Sequence, residues 1–148
     1  MPAALAIFFV MLMSMYAALN ATKQEVAKTL ATADASATNV IAYKSAVVTY
    51  LNANPAAIGN IPDASLTMPT GLVRLSNWTN VVVGGTLFVY EAVPSQTPST
   101  MDLIYGKTGK SILVGKSNGT SLINAMGTNT GIPLTATIPI GSIVLVGK

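Results

Sequence analysis

Residues 105–117, YGKTGKSILVGKS, contain the letters of a nucleotide-binding loop. A P-loop needs a glycine, four residues of any type and then Gly-Lys-Ser or Gly-Lys-Thr, because its backbone N–H groups close around a phosphate. Two Gly-Lys-Ser triplets occur, but the positions that require the first glycine hold Ile104 and Lys110. The first triplet is also followed by Ile-Leu-Val, which favours a strand where a P-loop continues into a helix. The pattern therefore predicts a β-hairpin whose turn is formed by residues 106–110.

The side chains that most hydrolases and metalloenzymes use are absent from this sequence. The 148 residues include no Cys and no His, so thiolate zinc sites, cysteine nucleophiles and the commonest general base are excluded. No two of the five acids are closer than nine residues along the chain; they are Glu25, Asp34, Asp63, Glu91 and Asp102. The sequence predicts a protein that is not an enzyme and that binds no metal or other cofactor.

Charge is sparse throughout the chain. Only 9% of the residues are charged, against about 25% in ordinary soluble domains, and the net charge is +3. So few cations do not make a nucleic-acid-binding face. Three of them, Lys107, Lys110 and Lys116, lie close together in the sequence. We expect them either to keep a sheet edge soluble or to contact lipid phosphate or an acidic partner.

The first 19 residues, MPAALAIFFVMLMSMYAAL, form an uncharged apolar segment. The 18 residues from Pro2 to Leu19 would span about 27 Å as a helix, close to the ~30 Å hydrocarbon core of a bilayer. A cleaved secretory signal and a buried core helix are the alternatives. The long apolar run without a basic start favours a retained transmembrane anchor over residues 1–19.

The next segment, residues 20–53, predicts an amphipathic helix that continues from the anchor. No Gly or Pro interrupts the chain between Ala3 and Asn54, and Pro55 ends the helix. Apolar residues recur at steps of three, four and seven, which is a helical stripe. The stripe consists of Val26, Leu30, Ala33, Ala37, Val40, Val47 and Leu51. It either lies on the chain's own domain or packs on other subunits, and both can hold along different turns.

Residues 54–70 are rich in Pro and Asn and predict a linker loop, and residues 71–148 predict a small β-rich domain. Short apolar runs bounded by Gly, Pro, Asn or Ser indicate strands at residues 72–75, 86–92, 103–105, 111–114, 135–138 and 142–146. Residues 121–126 could form one helical turn. The predicted fold class is α+β, with a long N-terminal helix followed by a small antiparallel β-rich domain.

This layout resembles that of type IV pilins and their assembly partners. Two stretches, NVIAYKSAVVTYLNANP at 39–55 and GLVRLSNWTNVVVGGTLFVYEAVP at 71–94, are similar more specifically to the small PilM family encoded with type IVB pili, including conjugative thin pili. The resemblance covers the whole chain. It implies a non-enzymatic inner-membrane component of pilus assembly, in the basal body or the pilin-transport apparatus. The implied partners are other pilus-assembly membrane proteins or pilins, and a homo-oligomer is a further option.

Two features separate the chain from a major pilin. Type IV prepilins carry a basic leader and a Glu five residues into the mature helix. Here the first basic residue is Lys23 and the first acid is Glu25. A minor pilin incorporated into the fibre is therefore the alternative to an assembly component. For orientation, Lys23 and Lys28 slightly favour a cytoplasmic domain. The Thr-, Asn- and Gly-rich composition favours an exported one, and we expect the C-terminal domain to lie in the periplasm.

Overall fold

A computed structural model describes most of the chain. It covers residues 2–75, 77–94, 98–135 and 137–147, with backbone only for 2–6, 98 and 99. The chain divides into two compact units, Met1–Thr32 and Ala33–Lys148.

One helix, α1, occupies Pro2–Ala53. Its sequence consists largely of Ala and other good helix formers, and Pro55 stands just beyond its end. The Asn54 backbone N–H and side-chain amide both donate to the Tyr50 carbonyl oxygen at 2.9 Å, which satisfies an acceptor of the last turn. This single helix fulfils the prediction of a long N-terminal helix.

The second unit contains an antiparallel sheet. In chain order its described strands are β1 (Trp78–Val83), β2 (Thr86–Glu91), β3 (Val114–Ser117), β4 (Ser121–Asn124), β5 (Asn129–Pro133) and β6 (Ile143–Gly147). Helix α2 (Pro98–Lys107) lies between β2 and β3 in the chain, and a single 3₁₀ turn lies at Asp63–Ser65. The strand order is β1-β2-β6-β3-β4-β5, and every pairing is antiparallel. The α+β prediction is confirmed.

The two faces of the sheet belong to different apolar clusters. Along β6, Ile143 and Leu145 join the cluster that includes α1 and α2, whereas Val144 and Val146 join a second, smaller cluster. Alternation of this kind follows from the period of two in a strand. The larger cluster also contains Trp78, which is fully buried. The core of the domain therefore lies between the sheet and the two helices.

Two predicted strands correspond to observed ones, β2 for 86–92 and β6 for 142–146. The strand predicted at 103–105 is wrong, because these residues lie in α2. Met101 and Ile104, three residues apart, are both buried in the main cluster, as a helix face requires. A three-residue apolar run looks the same in either element, and here the helical spacing with Met101 determined the outcome.

The hairpin predicted at 106–110 is also wrong. Gly109 has φ 67° and its N–H donates to the Gly106 carbonyl oxygen, while the Lys110 N–H donates to the Tyr105 carbonyl oxygen at 2.8 Å. These two bonds and the left-handed glycine define a Schellman motif. The stretch therefore ends a helix and does not turn between strands.

The remaining differences also have local causes. Residues 72–75 form no strand, because Asn39 bonds the Val73 carbonyl oxygen and the Leu75 N–H that a ladder would use. The strand predicted at 111–114 begins only at Val114. The helical turn predicted at 121–126 is instead β4 followed by a turn, in which Asn124 Oδ1 accepts bonds from two later N–H groups. At 135–138, Ala136 lies outside the described residues and the others form no strand. Strands β1 and β5 were not predicted.

Candidate functional site

The N-terminal part of α1 exposes a run of large apolar side chains. Ten of them between residues 7 and 19 are each 49–67% exposed: Ile7, Phe8, Phe9, Val10, Met11, Leu12, Met13, Met15, Tyr16 and Leu19. Four consecutive positions, Ile7 to Val10, point in four directions because successive helical residues are about 100° apart. The apolar surface therefore surrounds the helix.

Within the part of the chain that the structure describes with side chains, no helix has a stretch long and apolar enough to cross a membrane. The anchor predicted for residues 1–19 begins with six residues outside that part, so it stays a prediction.

The predicted apolar stripe has two different environments. Five of its residues, Ala33, Ala37, Val40, Val47 and Leu51, are at most 3% exposed, and they lie in the core of the chain's own domain. Small Ala and Val side chains allow the helix to approach the sheet closely. Val26 and Leu30 are 54% and 49% exposed. A contact between this stripe and another protein is therefore limited to Val26 and Leu30.

Three threonines next to the exposed part of the stripe turn their hydroxyls back to the helix. Thr22, Thr29 and Thr32 donate to the carbonyl oxygens four residues earlier at 3.1, 2.9 and 2.9 Å. Their hydroxyl donors are thus satisfied within the helix, and covering this surface would leave none of them unpaired. The charged residues between Leu19 and Thr32 are Lys23, Glu25 and Lys28.

The three clustered lysines occupy three separate structural environments. Lys107 forms an ion pair with Asp34, with 2.9 Å between Nζ and Oδ1. Lys110 is an exposed residue of the α2 C-terminal cap. Lys116 lies on β3 beside a shallow cavity of about 260 Å³, lined also by Met101, Asp102, Asn124, Ala125 and Gly127. A shared contact of all three lysines with one partner surface stays a prediction.

Neither Gly-Lys-Ser triplet lies in a phosphate-binding loop. Gly109 follows the C-terminal end of α2, where the helix dipole is negative and repels an anion. Gly115 lies within β3, and a β-carbon there would stand 2.2 Å from the Ile123 carbonyl oxygen. Each glycine is thus required by the local backbone, one for a cap and the other for close strand pairing.

A buried polar network holds the segment before the sheet against α1. Asn80, 1% exposed, donates from Nδ2 to the Tyr43 hydroxyl oxygen at 2.6 Å and to the Ile61 carbonyl oxygen at 2.9 Å. Its Oδ1 accepts the Ile61 N–H at 2.9 Å. Burial raises the pKa of the Tyr43 phenol, and the Asn80 hydrogen bond and the Arg74 charge oppose this rise. The network thus joins helix, loop and first strand.

Arg74 and Asn39 extend this network. Arg74 Nε donates to both carboxylate oxygens of Asp63 at 3.0 and 2.7 Å, and Nη1 donates to the Trp78 carbonyl oxygen. The guanidinium carbon lies 5.4 Å from the centre of the Tyr43 ring, within cation–π range. Asn39 holds the Val73 and Leu75 backbone at 2.8 and 3.0 Å. Sequence reasoning missed this network, although Asn39, Arg74 and Asn80 lie within the stretches 39–55 and 71–94.

Nothing in the described part of the chain forms a metal centre, since no three Asp or Glu side chains come together there. Fold and surface together define an α+β protein with an exposed apolar helical surface at its N-terminal end.

The chain belongs to the PilM family, whose sequence profile matches residues 7–146. A crystal structure of a PilM protein from Escherichia coli B7A is similar to it, with a TM-score of 0.60 and 25% sequence identity. The similarity covers 79% of this chain and 92% of that chain. Among curated proteins no match is found. The resemblance to PilM predicted from residues 39–55 and 71–94 is confirmed.

Proposed function

We propose that this PilM-family chain is a non-enzymatic inner-membrane component of type IV pilus assembly. PilM membership connects it with pilus biogenesis. The observation that carries the finer proposal is the apolar surface surrounding α1 over residues 7–19. Each Å² of apolar surface left in water costs about 25 cal/mol, so ten exposed large side chains favour a lipid or protein cover.

In this proposal residues 1–19 anchor the chain in the inner membrane and the C-terminal domain lies in the periplasm. The domain acts in the basal body or the pilin-transport apparatus by contacting other assembly proteins or pilins. Val26 and Leu30 offer the exposed part of the helix stripe for such a contact. The hydrogen-bonded hydroxyls of Thr22 and Thr29 support it. When a partner excludes water from this surface, neither hydroxyl donor is left unpaired.

Complementation of a gene deletion tests the proposal. The deletion strain should lose pili and conjugative transfer, and the unchanged gene should restore both. Leu12→Lys places a charge in the apolar segment and should fail to restore them, with the protein released from the membrane fraction. Ile58→Lys, a charge at a 79% exposed position of the second unit, is the matched control and should restore them. Normal pilus number and transfer in the deletion strain would contradict the proposal.

Two further measurements separate assembly component from fibre component and test orientation. Detection of the chain in sheared, purified pili would favour the minor-pilin alternative. In spheroplasts, externally added protease should digest the C-terminal domain. Protection of that domain would contradict its periplasmic location.

A further inference from the structure

Lys23 and Lys28 are the first cations after the exposed apolar segment of α1. They lie four and nine residues beyond Leu19. On a helix these separations correspond to about 6 and 14 Å of rise. The head-group layer adds about 5–8 Å to each side of the hydrocarbon core, and a lysine stem of four carbons can bend its ammonium group back toward it. Both ammonium groups can therefore reach lipid phosphate when residues 7–19 lie in lipid.

Neither lysine side chain forms an ion pair in the described structure. The ion pairs found there join Arg74 to Asp63 and Lys107 to Asp34. Glu25 is the single acid between Leu19 and Asp34, and Asp34 is already paired with Lys107. The apolar segment is thus followed by two cations and one acid, a net positive charge that complements an anionic surface.

The distribution of apolar residues favours lipid over a protein helix as the cover. A partner helix covers one face, whereas the exposed side chains from Ile7 to Val10 already point to all sides. Lipid surrounds a helix and presents its phosphates at a fixed distance from the apolar layer. Lysines about one turn and two and a half turns beyond the apolar residues match that geometry.

From these observations we infer that Lys23 and Lys28 bind the phosphates of anionic lipid head groups where α1 leaves the membrane. This inference rests on the proposed membrane anchoring and adds a lipid preference to it. Removal of each lysine should weaken binding to an anionic membrane about 5-fold.

Vesicle flotation of the full-length chain tests the inference. The unchanged protein should bind vesicles of phosphatidylcholine mixed equally with phosphatidylglycerol more tightly than vesicles of phosphatidylcholine alone. The double variant Lys23→Gln/Lys28→Gln should lose about 25-fold in affinity for the anionic vesicles and keep its affinity for neutral ones. Lys110→Gln, an exposed lysine of the second unit, is the matched control and should behave like the unchanged protein. Inorganic phosphate should compete no better than sulfate at equal ionic strength.

The outcomes distinguish the inference from the proposed function. Equal binding of the unchanged protein to both vesicle types, or an unchanged anionic preference in the double variant, overturns the inference and leaves the anchor in place. Specific competition by inorganic phosphate identifies a phosphate site and overturns the assignment to lipid. Failure to float with either vesicle type removes membrane anchoring itself, and the inference falls with it.

Discussion

Gly106 and Gly115 belong to the same lysine-rich stretch but have different surroundings. A β-carbon at Gly115 would stand 2.2 Å from the Ile123 carbonyl oxygen and 2.9 Å from its carbonyl carbon. These are backbone atoms of the neighbouring strand, so they cannot move aside without disturbing the β3–β4 pairing. Gly106 lies in the last turn of α2, where a β-carbon would meet nothing within 4 Å.

Gly115→Ala should therefore lower the free energy of unfolding by about 2–3 kcal/mol, the range of overpacking in a close-packed interior. Gly106→Ala, in the same stretch, should raise it by about 0.5 kcal/mol because alanine loses less entropy in a helix. Denaturant unfolding of both variants checks the pair. An unchanged denaturant midpoint for Gly115→Ala would contradict this prediction, because it would show that β3 and β4 can accommodate the added methyl group without loss of stability.

Lys44 is the charged residue of α1 that contacts the C-terminal end of β6. Its ammonium group donates to the Val146 carbonyl oxygen at 2.8 Å, and a β-carbon at Gly147 would lie 2.6 Å from Lys44 Cε. Burial lowers the pKa of Lys44 below its ordinary value of 10.5. The folded state thus holds this proton less tightly than the unfolded chain does.

The pH dependence of stability follows from this difference. Between the lowered pKa of folded Lys44 and 10.5, the unfolded chain binds more protons, so the free energy of unfolding contributed by Lys44 rises with pH. The free energy of unfolding of the unchanged protein, relative to that of Lys44→Met, should rise as the pH rises from neutral toward 10.5. Denaturant unfolding across that range measures it, with exposed Lys110→Met as the control for loss of a lysine. A relative free energy of unfolding that falls as the pH rises would contradict the assigned direction of the pKa shift.

At the scale of elements, the apolar stripe of α1 has a buried part and an exposed part. Ala37 is fully buried in the domain core, whereas Val26, on the same stripe, is 54% exposed. Ala37→Asp buries an unpaired carboxylate and should lower the free energy of unfolding by about 3 kcal/mol or more. Val26→Asp places the same group in water and should change it by less than about 0.5 kcal/mol.

Thermal unfolding followed by circular dichroism compares the two aspartate variants directly. Equal destabilisation by both would mean that Val26 is covered in the folded chain. Because Val26→Asp is expected to leave the domain intact, loss of pilus assembly in that variant can be assigned to the exposed part of the stripe and not to misfolding.

The elements that sequence could predict are those with a long or uniform signal. Helix α1 follows from an unbroken run without Gly or Pro, and β2 and β6 follow from apolar runs bounded by Gly or Pro. Helix α2 was missed because its described buried apolar residues are only Met101 and Ile104. A single spacing of three residues is too short a pattern to distinguish a helix from a strand. The polar network was missed because Asn80 meets Tyr43 only after helix and strand pack, and no spacing along the chain records that contact.

At the scale of the molecule, the two units carry different kinds of surface. The buried hydrophobic residues of the described chain begin at Ala33, and all of them lie in Ala33–Lys148. The ion pair between Asp34 and Lys107 also lies within that unit. Folding of the second unit therefore depends on residues that it contains itself.

Deletion of residues 2–32 should leave that unit folded. Every core residue is retained, and Asp34 then falls in the first turn of the shortened helix, where a negative charge is favourable. The free energy of unfolding should change by less than about 1 kcal/mol. Flotation with phosphatidylcholine vesicles should be lost, because the shortened chain no longer contains residues 7–19.

Deletion of residues 2–40 is the matched control, since it also removes Ala33, Ala37 and Val40 from the core. Loss of each such buried side chain leaves part of the sheet face uncovered, so this chain should unfold without a cooperative transition. Unfolding of the shorter deletion as well would show that residues 2–32 stabilise the domain. Cooperative folding of the 2–32 deletion, together with failure of the 2–40 deletion, would place the N-terminal boundary of the folded domain within α1, between residues 33 and 40.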